Sequence, residues 1–247
     1  MIKLQNLCVA YKGRLVLKNI YAQINPGDFI IVVGANGAGK TTLLNALAGK
    51  VNLSEGAIMV EDQPLKKENA AMISRVHQNP LQGTASSLLV KENLALALYR
   101  YRSVTFRNAL GALYGSPLLS RVEHHFPGTH ILDQRIDSLS GGQRQLLSFL
   151  MATAQPIELL LLDEPTAALD PRATKIMMTA VQELSEQKKV GIVLITHDSA
   201  IANTFGTALW VLSDGMLVKK IEPEEKKSLS LHAIEMIMHG EEIGKVI

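Results

Sequence analysis

Gly34-Ala35-Asn36-Gly37-Ala38-Gly39-Lys40-Thr41-Thr42 fits the pattern G-x-x-x-x-G-K-S/T, and its flanks decide the fold. Before it, Phe29 to Val33 is an unbroken apolar run, as expected of a strand buried on both faces. After it, Leu43, Leu44, Leu47 and Ala48 have helical spacing, and Gly49 ends the run. A strand, a glycine-rich turn and a helix N-terminus aim several backbone N–H groups at one point, where the helix dipole also favours negative charge. In this arrangement Lys40 is expected to reach the β- and γ-phosphates and the Thr41 hydroxyl to ligate Mg²⁺. A chain of this length meets the bare pattern by chance roughly once in a hundred at ordinary glycine frequencies. The flanks lower that chance further, so the stretch reads as a nucleoside triphosphate site.

The 247 residues allow one large domain, or one domain with an inserted lobe. A single cysteine, Cys8, leaves no disulfide framework and fits a reducing compartment. A net charge of +2 gives no electrostatic footprint for nucleic acid, and 4 % aromatic content leaves few platforms for stacking bases. The first residues lack the charged and apolar regions of a signal peptide. Apolar runs such as Leu159 to Leu162 fall far short of the ~18 residues of a membrane span, so a membrane role requires a partner.

Residues 1–33 alternate like strands, separated by turns at Lys12-Gly13 and Asn25-Pro26-Gly27-Asp28. Tyr11 stands at the first turn, where an aromatic stacks on a base or packs on the sheet. Gly56 to Val60 and Ile73 to His77 read as further strands, the second leading into Gln78-Asn79-Pro80. From about Leu81 to Gln155 helical spacing takes over, as in Leu94, Leu98 and Tyr101, which suggests a helical lobe inserted into an α/β domain. Inside it, Tyr99-Arg100-Tyr101-Arg102 and Arg107 read as a solvated basic face, with contact to a partner or to anionic lipid as the sharper alternative. His124, His125 and His130 have no cysteine or carboxylate at ligand spacing, which disfavours a metal. The nine methionines read as core filler.

Leu139-Ser140-Gly141-Gly142-Gln143 precedes a helix lined by Leu146, Leu147, Leu150, Met151 and Ala154 and stopped by Pro156, with Ser140 as its N-cap. The two glycines make a simple tight turn or a second anion cradle. One chain with one lysine-bearing loop has no use for two cradles, whereas two chains facing head to tail do. Leu159 to Leu162 is a buried strand that ends in Asp163 and Glu164. Asp163 suits Mg²⁺, which leaves Glu164 to orient or deprotonate water. Asp170-Pro171 opens a helix with Ile176, Ala180, Val181 and Leu184 on its buried face. Gly191 to Ile195 is a core strand that delivers His197 to the same sheet edge, and two short strands flank the turn Ser213-Asp214-Gly215. Ser228 to Gly240 reads as a short amphipathic helix through Leu231, Ile234 and Met238, free to dock on its own domain or on a partner.

Together these motifs resemble the nucleotide-binding subunit of an ABC transporter over nearly the whole chain. Gly34 to Thr41 matches the Walker A loop, Gln78 the Q-loop and Leu139 to Gln143 the LSGGQ signature. Leu159 to Asp163 matches Walker B, with Glu164 as the catalytic carboxylate; Ala168-Leu169-Asp170 matches the D-loop and His197 the switch histidine. Tyr11 falls where the family carries its base-stacking aromatic.

The resemblance implies a P-loop NTPase (RecA-like) α/β core with an antiparallel β subdomain (1–80 and 156–222), an inserted α-helical subdomain (81–155) and a C-terminal helical tail (223–247). It implies ATP held by Tyr11, Gly34, Asn36, Gly37, Ala38, Gly39, Lys40, Thr41 and Thr42. In a head-to-tail homodimer, Ser140, Gly141, Gly142, Gln143 and Asp170 complete that site. Mg²⁺ is implied on Thr41, Gln78 and, through water, Asp163; Glu164, His197 and Gln78 carry the catalysis. Partners would be integral-membrane permease subunits and, indirectly, a solute-binding protein, with the chain peripheral at the cytoplasmic face of the inner membrane.

Residues 78–85, 92–97, 150–153 and 224–229 resemble bacterial ATPases of tryptophan/tyrosine-type uptake systems. Residues 136–139 lack the acidic-glycine stretch common in exporters, which points to import. A soluble ABC-type ATPase acting on ribosomes or DNA is the alternative, disfavoured by a single cassette that is not basic. Glu164 and His197 argue against a module that binds ATP without turnover.

Overall fold

The computed structural model describes residues 1–66, 70–99, 105–167 and 169–239, with the side chains of 106, 107 and 239 left aside. Arg100, Tyr101 and Arg102, the Arg107 side chain, Ala168 and Gly240 therefore lie outside the described set, and with them most of the basic, aromatic cluster and part of the D-loop. The chain divides into two compact units: Met1–Arg75, Glu158–Glu164 and Met178–Ile247 in one, Val76–Ile157 and Pro165–Met177 in the other.

The first unit carries two sheets. Strands β1 (Ile2–Tyr11), β2 (Arg14–Ile24), β3 (Phe29–Val33) and helix α1 (Lys40–Leu47) come first, followed by β4 (Glu55–Val60), β5 (Gln63–Pro64) and β6 (Ile73–Val76). β1 and β2 form an antiparallel hairpin that closes at Tyr11 and Arg14. Lys12 and Gly13 both have positive φ there, as a two-residue hairpin turn of matching twist requires. The small sheet runs β2-β1-β4-β5.

The larger sheet takes shape around β3, whose five residues are all buried. After the helices α2 (Val90–Leu98), α3 (Phe106–Leu113), α4 (Pro117–His125) and α5 (Gly141–Ala152) come β7 (Leu159–Asp163), α6 (Pro171–Lys188), β8 (Gly191–Ile195), α7 (Ser199–Thr204), β9 (Ala208–Ser213), β10 (Met216–Ile221), α8 (Pro223–Ser228) and α9 (Leu231–His239). The sheet order is β10-β9-β3-β8-β7-β6. β9, β3, β8 and β7 are parallel, so the ends of β3 and β7 and the segment after β8 emerge along one edge. β10 pairs antiparallel with β9. One core joins Leu43, Leu44 and Leu47 of α1 to Ile30, Val32, Leu159, Leu161, Val193, Ile195 and Trp210 of the large sheet and to Leu7, Val9 and Leu17 of the small one. Each such side chain contributes about 1.5–3 kcal/mol on burial, which anchors the phosphate-loop helix to both sheets.

In the second unit α2 to α5 pack with short 3₁₀ turns. Asn79 caps the turn Pro80–Gly83, accepting from Leu81 N. Gln145 Nε2 donates to the His77 carbonyl, and Arg121 donates to the carbonyl and hydroxyl of Thr153 at the end of α5.

The structure corrects three expectations. Ile176 is 40 % exposed, whereas Met177, Met178, Ala180, Val181 and Leu184 are buried. Ala180, Val181 and Leu184 lie on the buried face as expected, and Met177 and Met178 join it in place of Ile176. α5 ends at Ala152, so Ala154 and Pro156 lie beyond it. Among the described methionines only Met177 and Met178 are core residues, and Met216 is 45 % exposed. The tail helix α9 docks on its own unit: Ala233, Ile234 and Ile237 are buried, and it packs against α7.

Candidate nucleotide-binding and catalytic site

α1 begins with its donors open. Its N-cap is Gly39 at φ 102°, with no side-chain cap and no acidic residue in the first turn. A Cβ on Gly39 would sit 2.8 Å from Leu17 Cδ2, so neither the backbone angle nor the β2 wall tolerates a side chain. Gly34, at φ 145°, is pressed still closer against the Leu212 carbonyl. Gly37 has positive φ and nothing within 4 Å of its Cβ position, and Ala35, Asn36 and Gly37 form the exposed rim. The first four amides of a helix have no intrahelical acceptor. In α1 no side chain supplies one.

Lys40 is buried, and its ammonium donates to the Gly34 carbonyl at 2.7 Å and to the Ala35 carbonyl at 3.0 Å. Desolvation lowers its pKa, and the nearby carboxylates of Glu164 and then Asp163 oppose that shift. A lysine curled under a loop of amide donors offers an anion one full charge and a fan of partial ones. Thr41 is exposed in the first helical turn and Thr42 half-buried beside it.

β7 ends on the two carboxylates. Glu164 has φ 46°, a sparsely populated backbone region for a non-glycine residue, and its N–H donates to the Ile195 carbonyl at 3.0 Å. That bond ties it to the end of β8, two residues before His197. His197 Nε2 lies 3.2 Å from Glu164 Oε1. The following residue, Asp198, caps α7 by accepting from Ala200 N and Ile201 N. Ser199 Oγ donates to Glu235 Oε1 of α9 at 3.1 Å. An open cleft of about 340 Å³ beside the loop is lined by Gly34, Ala35, Asn36, His197, Ser199, Glu235 and Met238.

Asp163 does not stand alone at the strand end. Its Oδ2 accepts from Arg75 Nη2, and Arg75 Nη1 donates to Asn45 Oδ1 of α1. The oxygens on offer to a cation, the Thr41 hydroxyl and the Asp163 carboxylate, are the hard donors that Mg²⁺ takes. With Oδ2 engaged by Arg75, the carboxylate fits a hydrated ion through its other oxygen.

The first unit therefore holds Tyr11, Gly34, Asn36 to Thr42, Asp163, Glu164 and His197. Tyr11 is 44 % exposed at the hairpin end, with its ring accessible. Gln78, Ser140 to Gln143 and Asp170 belong to the second unit. There, Ser140 and Gln143 form a reciprocal capping box: Ser140 Oγ accepts from Gln143 N, and Gln143 Oε1 accepts from Ser140 N. Asp170 Oδ1 accepts from Arg172 N and Ala173 N at the start of α6. A Cβ on Gly142 would lie 3.1 Å from Ala173 Cβ, so the signature turn and the α6 start are in close contact. Gln78 is exposed.

A family model for the ABC transporter matches residues 17–167, from β2 through the phosphate loop and the signature turn to just past β7. The chain belongs to the ABC transporter family. This ABC ATPase is 30 % identical to a tyrosine transport ATP-binding protein of Clostridioides difficile (strain R20291), over 95 % of its own length and 97 % of that protein. It is 32 % identical to the phosphonates import ATP-binding protein PhnC of Staphylococcus aureus (strain MRSA252), covering 88 % and 87 %. Its fold is similar to the dimeric, post-hydrolysis structure of the ATP-binding cassette MJ0796 bound to ADP and Pi, with TM-score 0.76, 25 % identity and coverage of 90 % and 99 %.

Motif reading did not mark Arg75, Asn45 or Glu235, and it placed Met238 on the apolar face of the tail helix without connecting it to the phosphate loop. A signal existed for Arg75 alone: a charged residue inside the otherwise apolar run Ile73 to Val76. Glu235 and Met238 line the cleft beside the phosphate loop through tertiary packing of α9, a placement that local spacing does not encode.

Proposed function

We propose that this ABC ATPase drives a small-solute importer, hydrolysing ATP in a site that two copies build head to tail. Lys40 and the amides of residues 34–42 hold the phosphates, and Tyr11 stacks on the base. Thr41, Gln78 and, through water, Asp163 hold Mg²⁺. A divalent ion held there would supply positive charge against the negative charge that builds on the phosphates during transfer. Glu164 orients the attacking water and accepts its proton as the new O–P bond forms. The bond to the β-phosphate breaks, and ADP leaves with the electron pair. His197 holds Glu164 and the terminal phosphate in line.

Ser140, Gly141, Gly142 and Gln143 of the second copy, with its Asp170, complete the pocket. Each nucleotide then touches both chains, so binding favours the closed dimer, and Gln78 with the helical lobe passes closure to permease subunits. The observation that carries this reading is the 3.2 Å pairing of Glu164 with His197 in the unit that bears the phosphate loop.

Import is favoured by the two relatives, named for tyrosine transport and for phosphonate import. An aromatic amino acid such as tyrosine or tryptophan is the proposed cargo, delivered by a solute-binding protein to a permease in the inner membrane. Among the described residues no helix is long and apolar enough to cross a membrane. The test is purification from detergent extracts: a membrane-embedded partner is expected with the chain, and recovery of soluble partners only contradicts the reading. A thermal shift of the associated solute-binding protein against an amino-acid panel then names the cargo.

A further inference from the structure

Arg75 sits in a place where a guanidinium is hard to keep. Its side chain is 8 % exposed, at the end of a strand whose Ile73, Ser74 and Val76 are buried. One terminal nitrogen donates to Asp163 Oδ2 and the other to Asn45 Oδ1. Its Nε is buried with no hydrogen-bond partner among the described residues. Placing a buried charge with one donor unsatisfied does not serve stability, since a buried ion pair often does no better than an apolar replacement. Both groups that it grips lie beside the proposed chemistry. Asn45 is on α1, five residues past Lys40, and Asp163 immediately precedes Glu164.

We infer that Arg75 is a positioning residue for the metal-side carboxylate: it holds Asp163 by Oδ2, so that the other oxygen alone faces a hydrated divalent cation, and it tempers the attraction of that carboxylate for the cation. The inference rests on the reading of Asp163 as a Mg²⁺ partner. A small divalent ion that keeps several waters needs one well-aimed carboxylate oxygen rather than a freely rotating pair. The guanidinium fork supplies that aim because its planar geometry bridges two acceptors, which a lysine ammonium does not match. The same positive charge repels the ion, so metal affinity and orientation are set against each other in one side chain.

The experiment titrates Mn²⁺, a spectroscopic stand-in for Mg²⁺, into protein with bound ADP and reads free Mn²⁺ by electron paramagnetic resonance. Phosphate release is measured alongside. Arg75→Met is expected to bind Mn²⁺ about 3- to 10-fold more tightly, through loss of the opposing charge, while turnover falls. Arg75→Lys is expected to keep Mn²⁺ affinity within about twofold of the wild type and to lower turnover less than Met does. A merely structural arginine gives no such split. Unchanged or weakened Mn²⁺ binding in Arg75→Met overturns the inference. If that variant does not fold, the lysine variant carries the test, and metal affinity and turnover falling together overturn it. Asp163→Asn separates the two layers: if it leaves Mn²⁺ binding intact, the metal reading of Asp163 fails. If it weakens binding while Arg75→Met changes nothing, only the role of Arg75 fails.

Discussion

Two helix N-termini in this molecule face anions in opposite ways. α1 starts on a left-handed glycine with no side-chain cap, and the Lys40 ammonium is held under its loop by the Gly34 and Ala35 carbonyls. α5 starts on Ser140 with a closed capping box, in which Ser140 and Gln143 satisfy each other's backbone N–H. The first is a complete anion site with its own full charge. The second retains only the Gly141 and Gly142 amides, the Ser140 hydroxyl proton and the Gln143 Nε2 hydrogens, with no cation among them. A capped, uncharged helix start does not compete for free phosphate. It can add directed hydrogen bonds to a phosphate already held elsewhere, and for this reason we assign the two turns to one pocket made by two copies.

The largest expected effect is at Glu164, just past β7. Glu164→Gln removes the proton acceptor and keeps the shape, so phosphate release should fall by about 10²- to 10⁴-fold while ATP binding persists. Equal release by both proteins removes Glu164 from its role. Next in size, Lys40→Ala takes the only full charge from the α1 site and should weaken ATP binding by about 1.5–3 kcal/mol, read by equilibrium dialysis. Ser140→Ala should leave ATP binding by isolated chains unchanged, abolish nucleotide-driven pairing in scattering, and lower thermal stability by about 1 kcal/mol through loss of the cap. If Ser140→Ala weakens binding as much as Lys40→Ala, the division between the two turns is wrong.

The smallest effects separate the glycines. Gly39→Ala strains a positive φ and meets Leu17, so it should lower stability by about 1–2 kcal/mol along with nucleotide binding. Gly142→Ala meets the Ala173 methyl at 3.1 Å and Leu169 Cδ2 at 3.9 Å, both side-chain atoms, and should be milder in thermal unfolding, below about 1 kcal/mol.

What could be read from the sequence was local. The phosphate loop, the caps at Ser140 and Asp170, the strand that ends in Asp163 and the turn at Lys12-Gly13 depend on neighbours within a few residues, where backbone geometry and hydrogen-bond reach impose residue type. Ile176 was misplaced because apolar spacing does not fix the edges of a stripe; the adjacent Met177 and Met178 are equally apolar, and tertiary packing selects them. Arg75 escaped for a related reason: its partners lie 30 and 88 residues away, joined only when β6 takes its place at the sheet edge. The contact of α9 with Ser199 is likewise a product of docking. The sequence marks Glu164 as the carboxylate expected to orient or deprotonate water, but not its left-handed backbone, set by the hydrogen bond to Ile195.

Specific ATPase activity followed against protein concentration, with molar mass by light scattering on the same samples, tests the shared pocket most directly. Activity per chain should rise with concentration and vanish where only monomers scatter, and Glu164→Gln with ATP should double in mass. Full activity per chain in strictly monomeric solution contradicts the account.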